Sequence, residues 1–167
     1  MHLTAKSYIK QLQLKKHPEG GYFREVYRSA ELILSEQLPA RYKSLRNFST
    51  SIYFLLEGKQ FSAFHRLQSD ELWHFYDGCP IIINIINQEG DLTMKKIGKK
   101  KDCEFQIAIE KQSWFAAELE DKNSFALFGC TVSPGFEFDD FELGERNNLV
   151  RKFPLHTDLI KHLTKSS

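Results

Sequence analysis

Ten short stretches rich in aromatic and β-branched residues follow one another along this chain with only turns between them: YFREVY, SIYFLL, FSAFHRL, ELWHFY, PIIINII, DLTMKKI, EFQIAI, WFAAEL, FALFGCTV and FEFDDFEL. Stretches of this composition form strands. Turn chemistry separates many of them, at Glu57-Gly58, Asp77-Gly78-Cys79-Pro80, Glu89-Gly90-Asp91, Asp121-Lys122-Asn123 and Ser133-Pro134-Gly135. A parallel crossover needs about a dozen residues or more, usually a helix, and these connections have no room for one. The strands therefore pair antiparallel, and the sheet must close or stack into a barrel or jelly roll.

Helices are expected only at the two ends. Thr4 can cap a short helix with Tyr8, Ile9 and Leu12 on one stripe, Lys15 and Lys16 near its end, and a stop at HPEGG. Pro154 opens a final helix with Leu155, Leu159, Ile160 and Leu163 on one side. No repeat, low-complexity tract or linker interrupts the chain, so residues 1–167 are expected to form a single, all-β domain with short N- and C-terminal helices.

Charge and cysteine usage narrow the function classes. Lys and Arg number 23 against 22 Asp and Glu, a balance with no field for gathering nucleic acid or acidic membranes. The lysine-rich run Lys95 to Lys101 reads as a solvated hairpin tip. Cys79, Cys103 and Cys130 are odd in number and lack a CxxC pair, which indicates neither a disulfide framework nor a thiolate zinc site. With no apolar signal core and no membrane-length apolar run, the expected home is the cytoplasm.

The segment FSAFHRLQSDELWHFYDG carries the chemistry. By alternation Phe61, Ala63, His65 and Leu67 share an apolar, inward face, while Ser62, Phe64 and Arg66 share the other. On the next strand Glu71, Trp73 and Phe75 share a face, and the short QSD turn is expected to bring Glu71 beside His65 across the ladder. A carboxylate beside an imidazole favours the charged form of each and orients the ring for proton transfer or metal binding. An inward ionisable pair is costly to bury unless the interior is wet, so the pair points to a functional pocket. His74 has the opposite parity and is expected on the other side.

Other residues divide between function and packing. HPEGG suits a helix-to-strand corner that needs positive φ, or a close approach of backbone to ligand; the corner is the expected use. Arg24, on a strand with Tyr22 and Val26, either greets an anionic ligand or pairs with a surface acid. Trp73 shares Glu71's parity and is the better pocket wall, ahead of Trp114. In SPGFEFDDFELG acidic residues fall on both parities, as expected of a rim or edge strand.

The spacing of His65, Glu71 and Gly78 resembles the first motif of the cupin superfamily, G-x5-H-x-H-x3,4-E-x6-G, with Leu67 at the second histidine position and Gly58 one residue early. The second motif, G-x5-P-x-G-x2-H-x3-N, falls near IEKQSWFAAEL, where Glu110, Gln112 and Phe115 stand for its proline, glycine and histidine. Over nearly its whole length the chain resembles a narrower group of small RmlC-like cupins of undefined function, through HPEGGYFREVYRS, STSIYFLL, FHRLQSDELWHFYDG and GCTVSPGFEFDDFEL. This resemblance implies a double-stranded β-helix, a jelly-roll barrel with a pocket at one mouth, and a homodimer.

The resemblance also frames the functional alternatives. Metal-binding cupins use three histidines and a glutamate together, so no tight metal is expected here; a divalent ion, if bound, would rest on His65 and Glu71 alone. The leading expectation is a pocket for a polar ligand such as a carbohydrate or nucleotide-linked group, bound by His65, Glu71, Trp73, Arg24 and Tyr53. The first alternative is an enzyme: a metal-free sugar-nucleotide epimerase or isomerase with His65 as base, Glu71 orienting it and Tyr53 as acid, or a weakly metal-dependent cupin. A second alternative is a non-catalytic structural or partner-binding protein. The aromatic HPEGGYFREVYRS strand, which would otherwise leave an exposed edge, is the expected dimer contact.

Overall fold

The computed structural model describes residues 3–165. Its strands are β1 (Lys15–Lys16), β2 (Tyr22–Arg28), β3 (Leu32–Ile33), β4 (Arg46–Asn47), β5 (Thr50–Glu57), β6 (Phe61–Leu67) and β7 (Asp70–Gly78). They continue as β8 (Ile81–Ile86), β9 (Leu92–Ile97), β10 (Gln106–Ile109), β11 (Trp114–Leu119), β12 (Phe125–Ser133) and β13 (Phe141–Leu143). The helices are α1 (Ala5–Gln11), α2 (Arg146–Lys152) and α3 (Thr157–His162). Two antiparallel sheets face each other, β1-β2-β5-β12-β7-β10 and β13-β6-β11-β8-β9, with β3-β4 as a small flap. This is the expected jelly-roll barrel.

Between the sheets Trp73, Phe128, Phe54, Ile81, Ile83 and Phe115 form the main core, with Trp73 stacked on Phe128 at 4.5 Å. Each such side chain contributes about 1.5–3 kcal/mol by leaving water. The core fills only part of the barrel. Toward the other mouth the inward positions turn to Thr50, Ile52, His65, Glu71 and Val132, which line a cavity.

The helices cover the outer faces. Thr4 caps α1 in a reciprocal box with Ser7, and Ala5 packs on Leu55 and Leu127. The helix ends earlier than its stripe suggests, because Gln13 takes φ 54°, and Lys15 and Lys16 pair with β2 as an edge strand instead. At the other end α2 was not expected: Glu145 caps it through the Asn147 and Asn148 amides, and its Leu149 joins Phe64, Trp114, Ile160 and Leu163 under the five-stranded sheet. Pro154 starts a short 3-10 turn that leads into α3, and Leu155 points away, 93% exposed. FEFDDFEL is only partly a strand: Phe138–Asp140 is a 3-10 turn and Phe141–Leu143 is the edge strand. No helix of the described residues is long and apolar enough to cross a membrane.

Two bulges decide which side chains enter the cavity. In β2 the pairing with β5 slips between Glu25 and Tyr27, so Val26 is the extra residue. Phe23, Glu25 and Arg28 consequently stand opposite Phe54, Ile52 and Thr50, and all six line the cavity. In β6 the pairing with β11 slips between His65 and Ser62, so Ala63 and Phe64 together face Ala116. Alternation is broken there: Ser62 turns inward with His65, while Phe61 packs outside beside Phe64.

Candidate functional site

His65 is held on β6 by its neighbours on both sides of the ladder, Phe115 of β11 and Leu143 of β13. The bulge leaves the Ala63 carbonyl to accept from His65 Nδ1 at 2.8 Å. A carbonyl can only accept, so Nδ1 carries the proton and Nε2 is the working nitrogen. Nε2 lies 3.2 Å from Glu19 Oε2.

Glu19 comes from the HPEGG corner. Its carbonyl accepts from the Ala63 amide at 2.9 Å and its Oε1 accepts from the Ser62 hydroxyl at 2.7 Å, which fixes the side chain against β6. The glycine after it makes this approach feasible: Gly20 has φ 128°, and a Cβ there would lie 2.0 Å from the Phe61 carbonyl oxygen. The corner and the close approach are one device, and its target is a neighbouring strand. Gly20→Ala is expected to cost on the order of 1–3 kcal/mol in urea unfolding and to displace Glu19 from His65. A stability loss below a few tenths would contradict that placement.

Burial dominates the electrostatics. Glu19 is 5% exposed and His65 2% exposed. Desolvation pushes the Glu19 carboxyl up, a shift that the charge of His17 and the Ser62 hydrogen bond partly offset. Desolvation pulls the His65 ring down, opposed by the charge of Glu71. Each group is thus driven toward its neutral form, with Glu19 Oε2 and His65 Nε2 3.2 Å apart. His17, also pulled down by burial, accepts from the Glu19 amide at Nδ1.

Glu71 faces this pair across the barrel. β6 and β7 belong to different sheets, so the QSD turn passes between sheets, and Glu71 pairs with Ile109 and Val132. The expected ladder neighbourhood with His65 is corrected: the two are coupled through the cavity, and the direct partner of His65 is Glu19. Burial pushes the Glu71 carboxyl up to about 7, with the charge of His65 opposing. Its Oε2 is buried and accepts no hydrogen bond from the described residues; the Trp73 Nε1–H, itself unpaired, and the Cys130 thiol lie near enough to hold the carboxyl down but make no such bond. Burial also pushes the nearby Cys130 thiol well up, which keeps it protonated and unreactive.

The cavity is about 100 Å³, with Phe23, Phe54, Phe136, Phe138 and Phe141 as walls. At its mouth Arg28 uses all five N–H donors: on both Glu25 oxygens, Asn47, Glu137 and the Phe136 carbonyl. Three residues expected in the pocket are elsewhere. Trp73 is buried in the core against Phe128. Tyr53 lies edge-on to Tyr76 on the outer face of its sheet. Arg24 stands opposite Tyr53 on that same face, one residue out of step with the cavity. His74 is outside too, 3.2 Å from Gln106, as its parity implies.

The fold and the site meet a family pattern. A family model described as Cupin superfamily (DUF985) matches residues 6–144. The chain belongs to the cupin superfamily. Among solved structures, this cupin is similar to a protein from Shewanella oneidensis, with 36% identity over 99% of this chain and 100% of that one and a TM-score of 0.89. It is also similar to a hypothetical protein from Leishmania major, with 30% identity over 98% and 100% and a TM-score of 0.87. Oxalate decarboxylase from Bacillus subtilis shares the fold at 13% identity and a TM-score of 0.55, with 37% of its chain covered. No match was found among curated proteins.

The residues present do not supply the metal-ligand set that the superfamily motifs describe. Leu67 and Phe115 occupy two of its four positions, and the Phe115 ring packs on His65 with centroids 4.1 Å apart. Among the described residues, no group of three or more His, Cys, Asp or Glu side chains is arranged to hold a metal ion.

Proposed function

We propose that this cupin binds a small polar molecule in the cavity between Glu71 and the Glu19–His65 pair. The observation that carries this reading is Glu71 Oε2: a buried polar atom without a protein partner, on the wall of a cavity, is what a ligand would satisfy. A cavity of roughly 150 Å³ takes a benzene-sized molecule, so about 100 Å³ admits only a few heavy atoms. For a carbohydrate or nucleotide-linked ligand, only a terminal group would enter and the remainder would lie beyond Arg28.

A catalytic reading is favoured by one further observation. The Glu19–His65 pair can take or give a proton at Nε2, and Glu71 titrates near 7, so an acid and a base line the same cavity. That arrangement suits proton transfer at a bound carbon or oxygen. The acid would be Glu71, because Tyr53 is on the outer face.

The test is an NMR screen of the labelled protein with sugars, sugar phosphates, nucleotides, small amines, alcohols and carboxylates. Expected hits shift the His65 and Glu71 signals, and Glu71→Gln weakens them about tenfold or more. A screen in which every hit maps outside the cavity, or no compound binds, would overturn the reading.

A further inference from the structure

We propose that the group this pocket admits is a small organic ammonium, with its N–H donors on Glu71 and its carbon chain against the phenylalanine walls. The inference rests on the reading that the cavity is a ligand site, and adds the charge and hydrogen-bonding class of the ligand.

The lining is acidic. Glu19, Glu25, Glu71 and Glu137 face the cavity or its mouth against a single arginine, Arg28. An anion would look to the donors, and most are spent. All five Arg28 N–H groups are engaged, His65 Nδ1–H is on Ala63, and the Ser62 hydroxyl is on Glu19. What remains for an anion is the His17 ring, the Thr50 hydroxyl and the weak Cys130 thiol, while the unpaired Trp73 Nε1–H lies beside Glu71, whose charge above about pH 7 repels an anion there. A cation meets the opposite situation. Glu71, 7% exposed, offers an unpartnered Oε2, and the walls are phenyl rings, whose faces attract cations. A neutral hydroxyl could also donate to Glu71, but would gain nothing from its charge. Once Glu71 is ionised, that is the one carboxylate charge of the lining without a cationic partner among the described residues, since burial favours the neutral form of Glu19 and Arg28 pairs Glu25 and Glu137. The cavity holds roughly the four or five heavy atoms of a short alkylamine.

The experiment uses probes of one size and different charge: propylammonium, 1-propanol, propionate and, as a cation without N–H donors, tetramethylammonium. The protein is first assayed for bound metals, then titrated by NMR at about pH 8, where Glu71 is mostly ionised. Propylammonium is expected to bind in the millimolar range, which a handful of heavy atoms allows, and to shift the His65 and Glu71 signals. The alcohol, the carboxylate and tetramethylammonium are expected to bind about tenfold more weakly or not at all, and Glu71→Gln to remove the preference. Several results would overturn the inference: equal or tighter binding of 1-propanol, propionate or tetramethylammonium, no binding of propylammonium, or a stoichiometric divalent ion on Glu71. A cavity that binds propionate or the alcohol instead would still be a ligand site, so the two readings fail separately.

Discussion

Replacing Asp140 with Ala is expected to destabilise the protein by about 3–5 kcal/mol in urea unfolding. Arg46 is fully buried and makes a two-pronged pair with Asp140, Nε to Oδ2 at 2.6 Å and Nη2 to Oδ1 at 2.7 Å. Its remaining nitrogen is spent on the Ser44 hydroxyl and on the Ser44 and Leu45 carbonyls. Without the carboxylate the guanidinium keeps its charge in a buried site, with only the weaker fields of Glu137 and Asp139 to offset it. Asp140 also closes the turn between Phe138 and Phe141, so ligand binding in the cavity should weaken together with stability. The double replacement Arg46→Met with Asp140→Leu is expected to recover most of the loss, since it removes both charges. A loss under about 1 kcal/mol for Asp140→Ala would show that the pair is not the anchor of this turn.

Glu71→Gln is expected to change stability in a pH-dependent way. The Glu71 carboxyl titrates near 4.5 when unfolded and about 7 in the fold, so between those values the native protein holds a proton that the unfolded chain has lost. The contribution of Glu71 therefore falls as pH rises through that window, by about 3 kcal/mol in total. Glutamine has no such cost. Measured against wild type at each pH, Glu71→Gln should gain about 3 kcal/mol between roughly pH 4.5 and pH 7.5. His17 and His65, pulled down by burial, act with the opposite sign: their contribution is present above about 6.5 and is lost on acidification. His17 is common to both proteins, whereas His65 loses the supporting charge of Glu71 in the variant, so the difference reports Glu71 together with its coupling to His65. A difference that is flat with pH would place the carboxyl in water.

The barrel was legible because strand composition and turn residues are local signals. FSAFHRL and WFAAEL match β6 and β11 residue for residue. His65 and Glu71 were legible as inward ionisable residues in an apolar setting. Their relation was not, because a three-residue turn looks the same whether it joins neighbours or passes between sheets. Counting by twos from Tyr22 puts Arg24 and Arg28 on one face, and only the Val26 bulge, which has no sequence signal, turns Arg28 into the cavity and leaves Arg24 outside. Glu19 was hidden by its glycines: HPEGG does form a corner, and only the second strand lying against Gly20 shows what the corner holds. The signal available was His17 and Glu19 themselves, two ionisable residues in one turn that a corner alone does not require. Trp73 shares Glu71's face and its Nε1–H helps hold that carboxyl down, but its ring belongs to the core and not the cavity wall, because parity identifies the interior without telling how far along the barrel the solid core extends.

The two bulges differ in what they allow a chain of this family to lose. Val26 is half exposed and merely absorbs one residue, so a strand shortened at that point would keep Phe23, Glu25 and Arg28 opposite the same partners on β5. The bulge at Ala63 and Phe64 has no such slack. Shortening it would leave His65 opposite Phe115, yet it would remove the amide that receives Glu19 or the carbonyl that fixes the imidazole tautomer. One wall of the cavity is thus tolerant of deletion, and the other ties the length of the strand to the protonation of its histidine.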